Sequence, residues 1–283
     1  MMKLLKCGDK LLDLSSPVIM GVLNVTPDSF SDGGRYLQID DALHQAESMI
    51  REGALIIDVG AESTRPNACP VSEQQELDRL LPVIERIKQQ LDVVISIDTS
   101  TPRVITESAS LGAGLINDVR ALQREGALVA AAATGLPICL MHMQGQPNTM
   151  QQQPHYQSVV DEVQSFLQQR IDACIAVGIA REQLLLDVGF GFGKTLAHNL
   201  ELLRRLAEFE VFAIPILVGM SRKSMLGAIL GGAPVNERLF AGVGAATIAV
   251  INGASIVRTH DVKATKEAIA VAFAVKNLEL TIT

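Results

Sequence analysis

The amino-acid sequence predicts an α/β fold, namely a single (β/α)₈ TIM barrel with its active site at the C-terminal ends of the strands. Two observations support this prediction. Short apolar runs alternate with longer amphipathic segments, which is typical of a parallel sheet covered by helices. Almost every apolar run then changes abruptly to polar residues, and the carboxyl ends of barrel strands meet on one face.

Eight apolar runs are predicted to be strands, because each is short and is bounded by polar, Gly or Pro residues. They lie at Val18–Leu23, Leu55–Val59, Val93–Ile97, Gly114–Ile116, Leu136–Leu140, Gln183–Leu186, Ile214–Val218 and Ala254–Val257. No repeat or low-complexity linker separates them. A closed barrel is therefore favoured, and an open doubly wound sheet is the alternative.

The segments between the strands are predicted to be helices. Ser72 precedes two acidic residues within the next turn, which is typical of a helix N-cap. The predicted helices are Asp40–Gly53, Ser72–Gln90, Pro102–Leu111, Tyr156–Val177, Asn199–Phe209, Asn236–Asn252 and Lys263–Asn277.

Composition limits the class of protein. The chain has 283 residues, 48% of them hydrophobic and 19% charged, so it can bury a large core. One barrel of about 250 residues accounts for this length, and we expect a single domain over 1–283. The net charge of −7 argues against nucleic acid as a partner, and an anionic ligand would need a local basic cluster.

The cellular location is predicted from what the sequence lacks. The four cysteines have no zinc-type spacing, which suits a reducing cytosol. Residues 1–16 lack the apolar run of a signal peptide, and no run approaches the length of a membrane span. We therefore expect a cytoplasmic protein with no membrane partner.

A glycine-rich run at 189–195 directly follows the predicted strand that ends in Asp187. A P-loop would need glycine at position 188, which is Val188, and in the dinucleotide pattern the third glycine comes one residue early. Both nucleotide interpretations therefore fail. A carboxylate beside exposed backbone instead favours a site for a flat ligand.

Polar residues at the strand ends define the predicted site. The ends are Asn24, Asp58, Asp98, Asn117, His142, Asp187, Ser221–Lys223 and Arg258–His260. Asp98, Asn117, Asp187 and Lys223 suit a heterocycle with several N–H donors, because a carboxylate grips a guanidine-like edge through two bonds. Any one of them alone could be an ordinary cap or turn residue. His142 is predicted to support a strand end.

A second group is cationic. Arg258 and His260 follow the eighth strand and Lys223 follows the seventh, where barrel enzymes often bind phosphate. Arg258 and His260 are two residues apart, so they lie on the same side of an extended segment. A surface ion pair is the alternative. Two polar loops, at 26–34 and 62–70, are predicted to cover the site, or else are ordinary solvated loops.

At these residues the sequence closely resembles the dihydropteroate synthases of the pterin-binding barrel family. The matching stretches follow the family's order and span nearly the whole chain: Met20–Gly34, Ile57–Pro66, Ser96–Thr99, Ile116–Asp118, Leu186–Lys194, Gly219–Lys223 and Arg258–His260. Ala61 stands where many members have glycine, and we expect little consequence.

The resemblance implies a transferase of folate biosynthesis. It implies condensation of 6-hydroxymethyl-7,8-dihydropterin diphosphate with p-aminobenzoate, with diphosphate released. The implied pterin ligands are Asp98, Asn117, Asp187 and Lys223, of which Lys223, Asp98 and Asp187 also act in catalysis. The implied diphosphate ligands are Asn24, Arg258 and His260, with Asn24 also on a Mg²⁺ ion. The implied p-aminobenzoate pocket contains Phe30, Thr64, Arg65, Pro66 and Ser224.

The resemblance also implies small-molecule partners and a homodimer. Loop 62–70 has no evident insertion of the kind found in drug-insensitive members, so sulfonamides are expected to be competitive inhibitors. Two alternatives remain at this point. A corrinoid-linked pterin methyltransferase has no use for Arg258 and His260 as a diphosphate clamp. A non-catalytic pterin-binding relative should have lost loop residues such as Thr64 and Arg65, which are present.

Overall fold

The computed structural model describes residues 4–25, 35–62, 71–145, 150 and 153–278, with only the backbone described for 35–38. Its strands are β1 (Leu4–Cys7), β2 (Lys10–Asp13), β3 (Val18–Asn24), β4 (Ile56–Gly60), β5 (Val94–Asp98), β6 (Leu115–Asp118), β7 (Ile138–Met141), β8 (Leu184–Asp187), β9 (Ile216–Gly219) and β10 (Ala254–Thr259). Strands β3 to β10 form a closed barrel in which β10 pairs in parallel with β3. The barrel prediction is confirmed, and the open sheet is wrong.

Helices connect successive barrel strands and pack around them. They are α1 (Arg35–Glu52), α2 (Glu73–Gln90), α3 (Pro102–Ser110), α4 (Ala127–Thr134), α5 (Val159–Ala176), α6 (Leu196–Arg204), α7 (Ser224–Ile229), α8 (Leu239–Ile251) and α9 (Val262–Lys276). Short 3₁₀ segments lie at Arg181–Gln183, Leu206–Phe212 and Val235–Glu237. None of the helices in the described part of the chain is long and apolar enough to cross a membrane.

The structure corrects several predicted boundaries. Most predicted strands stop at the last apolar residue, whereas strand pairing continues into the polar residue that follows, as at Asp98 and Asp187. Helices α4 and α7 were not predicted: α4 is an alanine-rich segment with little amphipathic contrast, and α7 has only six residues. The Ser72 N-cap is confirmed, because Ser72 and Gln75 exchange side-chain and backbone hydrogen bonds.

The barrel interior has an apolar layer at its base. One or two residues from every barrel strand pack together there: Val18, Met20, Ile56, Val94, Leu115, Cys139, Leu185, Leu217 and Ile256. Side chains alternate between the two faces of a strand, so the inward positions recur every second residue. The next inward positions therefore belong to the layer above, toward the carboxyl ends of the strands.

An N-terminal hairpin closes the base of the barrel, and it was not predicted from the sequence. Strands β1 and β2 pair antiparallel around Gly8 and Asp9, with Gly8 at φ +64°. Leu5 and Leu12 point into the apolar base layer, whereas the alternating neighbours face solvent. Two short leucine-containing runs joined by the two residues Gly8 and Asp9 are the sequence signal that would have predicted this hairpin.

We expect Leu5→Ala to lower the free energy of unfolding by about 2–5 kcal/mol, because it opens a cavity in the base layer. Leu5 is 1% exposed, whereas Leu11 in the same hairpin is 69% exposed. Leu11→Ala is the matched control and should change stability by no more than about 0.5 kcal/mol. Urea denaturation measures both variants. Equal effects of the two substitutions would contradict the role assigned to the hairpin.

Candidate active site

Polar side chains occupy the interior layer directly above the apolar base. Asp58, Ser96, Asn117, Asp187 and Arg258 each follow a residue of the base layer by two positions on the same strand. The alternation of side chains places all of them inside the barrel. The predicted convergence of polar residues is therefore observed, with one correction: Asp58 is not at a strand end but within β4, completely buried.

Asp58 joins four strands of the barrel through hydrogen bonds. Its carboxylate accepts from Ser96 Oγ at 2.6 Å, from Asn117 Nδ2 at 3.0 Å and from Arg258 Nε at 2.6 Å. Arg258 also donates from Nη2 to Asp98 Oδ2 at 3.0 Å. Arg258 thus holds two carboxylates together, and its remaining nitrogen, Nη1, has no acceptor among the described residues.

Asp98 lies at the end of β5 and is half-buried. Burial raises the pKa of its carboxyl to about 7, because removal from water disfavours the charged form, while Arg258 opposes this shift. Burial also raises the pKa of Asp187, and there Lys223 opposes the shift. Both carboxylates therefore bind a proton more readily than an ordinary aspartate side chain does.

Glycines give the loop after β8 its shape. Gly189 N donates to Asp187 Oδ1 at 2.7 Å, so the loop fixes the orientation of that carboxylate. Gly189 has φ +70°, and a Cβ there would lie 1.8 Å from the carbonyl oxygen of His142. A Cβ on Gly193 would lie 2.4 Å from the carbonyl oxygen of Gln144. Only glycine fits at these two positions.

Lys223 lies in the turn between β9 and α7 and reaches this glycine loop. Its Nζ donates to the carbonyl oxygen of Phe190 and lies 4.6 Å from the centre of the Phe192 ring, a cation–π distance. Burial lowers the pKa of Lys223 to about 8, and Asp187 opposes this shift. Asp187 and Lys223 are therefore held by the same loop.

A buried lysine in the loop was missed by the sequence analysis. Lys194 is 3% exposed, and its Nζ lies 2.9 Å from His142 Nδ1 and 2.9 Å from the carbonyl oxygen of Gly189. The sequence interpretation relates the Gly193-Lys194 pair only to the P-loop pattern, which fails, and so assigns Lys194 no role. His142 is buried at the end of β7, where a strand-end support was predicted.

The predicted diphosphate and metal residues lie near the carboxyl ends of the strands. Asn24 is the last residue of β3 and pairs with Gly60. His260 follows β10, and its Nδ1 lies 3.1 Å from Ser221 Oγ. Among the described residues, no three His, Cys, Asp or Glu side chains come together in a way that could hold a metal ion.

The structure describes only one of the five residues predicted to bind p-aminobenzoate. Ser224 is the first residue of α7 and is exposed. Phe30, Thr64, Arg65 and Pro66 lie outside the described residues. Two arginines hold the chain where loop 62–70 begins. Arg120 Nη1 lies 3.4 Å from Glu62 Oε2, and Arg79 donates to the carbonyl oxygen of Ala61.

Comparison with known proteins identifies the family. A family model described as "pterin binding enzyme" matches residues 20–260. The dihydropteroate synthase of Escherichia coli (strain K12) is 57% identical over 270 residues, covering 95% of this chain and 95% of the relative. The chain belongs to the dihydropteroate synthase family. This enzyme is therefore a transferase. The two alternatives, a corrinoid-linked pterin methyltransferase and a non-catalytic pterin-binding relative, are set aside.

Solved structures agree with the assignment. The synthase aligns with the Yersinia pestis dihydropteroate synthase, solved as a sulfonamide drug complex, with a TM-score of 0.92 and 54% identity. That match covers 97% of this chain and 99% of the other. The Xanthomonas albilineans dihydropteroate synthase, solved with 4-aminobenzoic acid, gives a TM-score of 0.92 at 42% identity, covering 98% and 99% of the two chains.

Proposed function

We propose that the synthase condenses 6-hydroxymethyl-7,8-dihydropterin diphosphate with p-aminobenzoate in folate biosynthesis, releasing diphosphate and 7,8-dihydropteroate. The observation that carries this proposal is the set of two carboxylates, Asp98 and Asp187, and one amide, Asn117, that lie above the barrel's apolar base. The name of the Escherichia coli relative and the 4-aminobenzoic acid bound to the Xanthomonas albilineans relative support it.

The pterin ring would lie between Asp98, Asn117, Asp187 and Lys223. A pterin presents a guanidine-like edge of N–H donors, and a carboxylate accepts two such bonds in parallel. Asn117 gives Nδ2 to Asp58 at 3.0 Å, so its carbonyl oxygen remains for a ligand donor. Lys223 supplies a donor for an acceptor atom of the ring.

The diphosphate would lie beside Arg258, His260 and Asn24. Two nitrogens of Arg258 are already paired with carboxylates, which leaves Nη1 for a phosphate oxygen. This arrangement restrains the guanidinium before the substrate arrives, so little side-chain freedom is lost on binding. Asp58 and Asp98 also reduce the positive charge around Arg258. Diphosphate binding would therefore depend on the fixed position of the guanidinium as well as on its charge.

We also propose that Mg²⁺ accompanies the diphosphate, with the Asn24 side-chain oxygen as its protein ligand. Magnesium usually keeps several waters and takes phosphate oxygens together with few protein ligands. One amide oxygen at the end of β3 suits such an ion better than a resident metal, which would need several protein ligands. When bound, the ion would stabilise negative charge on the leaving diphosphate.

The chemistry is a substitution at the methylene carbon of the pterin. The C–O bond to diphosphate breaks, the C–N bond to the amine forms, and the amine proton leaves to water. The aromatic amine is neutral at pH 7, so the protein needs no strong base. Asp98 and Asp187 would stabilise positive charge on the pterin as the C–O bond loosens, while Arg258, His260 and Lys223 stabilise the leaving group. We therefore favour a dissociative path.

The p-aminobenzoate pocket would combine Ser224 with Phe30, Thr64, Arg65 and Pro66. The last four lie outside the described residues, and their roles remain proposals. A sulfonamide shares the aniline ring of p-aminobenzoate, and the Yersinia pestis relative was solved as a sulfonamide drug complex. We therefore propose that sulfonamides compete with p-aminobenzoate here.

Isotope scrambling tests the dissociative path. Pterin diphosphate labelled with ¹⁸O at the C–O bridge is incubated with enzyme, Mg²⁺ and benzoate, which lacks the nucleophilic amine. Reversible C–O cleavage should move the label into non-bridging phosphate positions, as measured by ³¹P NMR. With p-aminobenzoate present, diphosphate and dihydropteroate should appear in equal amounts. Rapid turnover without any scrambling would exclude a reversible dissociative step.

Substitutions of Lys223 test its role together with that of Asp98. In the parent enzyme kcat/KM for pterin diphosphate should rise through about pH 7, as Asp98 ionises, and fall above about pH 8, as Lys223 loses its proton. Lys223→Arg should move the alkaline limb upward, because a guanidinium stays charged. Lys223→Ala should lower kcat by about 10²–10³-fold through loss of electrostatic stabilisation.

Lys6→Ala is the control for Lys223→Ala, because Lys6 is exposed at the opposite end of the barrel. It should leave turnover and its pH profile unchanged. Near-parental turnover by Lys223→Ala would remove Lys223 from the mechanism. A parental rate that is flat from about pH 6 to 9 would show that neither Asp98 nor Lys223 controls the rate through its ionisation.

We also infer that the synthase is a cytoplasmic homodimer in which each chain is one domain over 1–283. The N-terminal hairpin packs into the base of the barrel, which supports a single domain. Cys7, Cys139 and Cys174 are buried thiols without a disulfide, which suits a reducing compartment.

Helices α8 and α9 pack together and expose large apolar side chains: Phe240, Ile248, Val271 and Val275. A second copy is the occupant proposed for this apolar face.

Phe240→Asp should convert a dimer of the synthase into a monomer, because Phe240 is 84% exposed and a charge would be buried at the interface. Val129→Asp is the control, since Val129 is 69% exposed on α4, away from this face. Light scattering after size exclusion measures the mass. A monomeric parent protein at micromolar concentration would contradict the dimer.

A further inference from the structure

We propose that Lys194 is a positioning residue for the reaction: its buried ammonium shapes the glycine loop at 189–193 and so fixes Asp187 and Lys223 for the pterin. This inference rests on the pterin contacts proposed above for those two residues. Lys194 itself need not touch the substrate.

The surroundings of the Lys194 ammonium are unusual for a lysine. It is buried, and its Nζ lies 2.9 Å from the oxygen of Gly189, 3.0 Å from that of Phe192 and 3.4 Å from that of His142. The fourth acceptor is His142 Nδ1 at 2.9 Å. No carboxylate of the described residues forms an ion pair with it. A buried charge without a paired charge is costly, and here carbonyl dipoles compensate for it.

The loop has few backbone partners of its own. A helix or strand would satisfy successive carbonyls with backbone N–H groups, but positive φ at Gly189, Gly191 and Gly193 prevents a regular ladder. One backbone bond crosses the turn, from Phe192 N–H to the Gly189 oxygen at 3.1 Å, and side chains supply the other partners described below. Lys194 binds the oxygens of Gly189 and Phe192, and Tyr156 Oη binds the oxygen of Gly193 at 2.8 Å. Of these two side chains, Lys194 binds oxygens at both ends of the turn, so it reinforces the backbone bond between Gly189 and Phe192.

The two groups proposed to bind the pterin depend on this turn. The N–H of Gly189 holds Asp187 Oδ1 at 2.7 Å, and the oxygen of the same residue is held by Lys194. Lys223 donates to the oxygen of Phe190 and lies over the ring of Phe192, whose oxygen Lys194 also holds. A shift of the turn would therefore displace the carboxylate and the ammonium together.

The bond between Lys194 and His142 also fixes a tautomer. When Lys194 carries its proton, the ammonium has no lone pair, so it donates and His142 Nδ1 accepts, which places the imidazole proton on Nε2. Burial lowers the pKa of His142 to about 2, so the ring stays neutral. His142 in turn packs edge-on against Phe166, with ring centres 4.9 Å apart. The ammonium is thus anchored to the barrel wall as well as to the loop.

Lys194→Met tests the proposal, because methionine keeps an apolar stem and removes the donors. We expect the Kd for a diphosphate-free pterin to rise about tenfold and kcat to fall about 10–100-fold from misplacement of the reacting groups. The KM for p-aminobenzoate should stay within about twofold, since the acceptors that Lys194 binds among the described residues belong to Gly189, Phe192 and His142 and not to the residues proposed for that pocket. Lys194→Gln, which keeps one N–H donor group, should recover part of the loss. Lys6→Met is the matched control and should be unchanged.

Folding is checked by circular dichroism and urea denaturation. A folded Lys194→Met with pterin Kd and kcat within about threefold of the parent overturns the proposal. So does an equal loss of pterin and p-aminobenzoate binding, which indicates general damage. If Lys194→Met does not fold, Tyr156→Phe replaces it, since it frees the Gly193 oxygen from the same loop. A pterin Kd raised at least about threefold then supports the proposal, and an unchanged Kd overturns it.

A parallel Asp187→Asn variant separates this inference from the proposed function. If Asp187→Asn binds the pterin as well as the parent does, the pterin contacts themselves are wrong. If Asp187→Asn loses binding while Lys194→Met keeps it, only the positioning role of Lys194 fails.

Discussion

Asp58 is a carboxylate without access to water, placed where the apolar base of the barrel meets its polar mouth. A buried carboxylate needs hydrogen-bond donors, and it accepts them from Ser96, Asn117 and Arg258 on three other strands. These bonds set the direction in which each partner points. Because a carboxylate only accepts, Asn117 must turn its Nδ2 toward it and direct its oxygen elsewhere. Arg258 is similarly fixed, and through it Asp98.

Burial has opposite effects on the acids and the lysines of the site. It raises the pKa of Asp98 and Asp187 and lowers the pKa of Lys194 and Lys223. The ionised forms are therefore maintained by one another rather than by water. A bound heterocycle that donates to the carboxylates would replace the solvent they have lost. Preorganised charges of this kind need little rearrangement as the reaction proceeds.

Three residues have supporting roles that only the structure shows. Asp58 aligns Asn117 and Arg258, and Lys194 organises the glycine loop. Asp118 accepts from the backbone N–H groups of Arg120 and Leu122, each at 2.8 Å, and so shapes the turn after β6. Arg120 in turn lies 3.4 Å from Glu62 at the base of loop 62–70. Some polar residues at the mouth of the barrel are thus placed to bind a ligand, and others hold those residues in position.

The sequence by itself determined the barrel and most of its polar mouth. Alternating apolar and amphipathic segments can bury both faces of a parallel sheet in few ways, and strand-end residues such as Asp98 and Asp187 must then converge. It did not determine which residue pairs with which. Asp58 has the same local pattern as Asp98, and only the register of β4 against its neighbours places it one layer deeper. Lys194 resembled part of a phosphate loop, and only the folded chain brings His142 from β7 and the carbonyls of the loop around it. Local sequence indicates which segments become strands, whereas contacts between residues distant in sequence decide how far each strand pairs and which groups satisfy the buried charges.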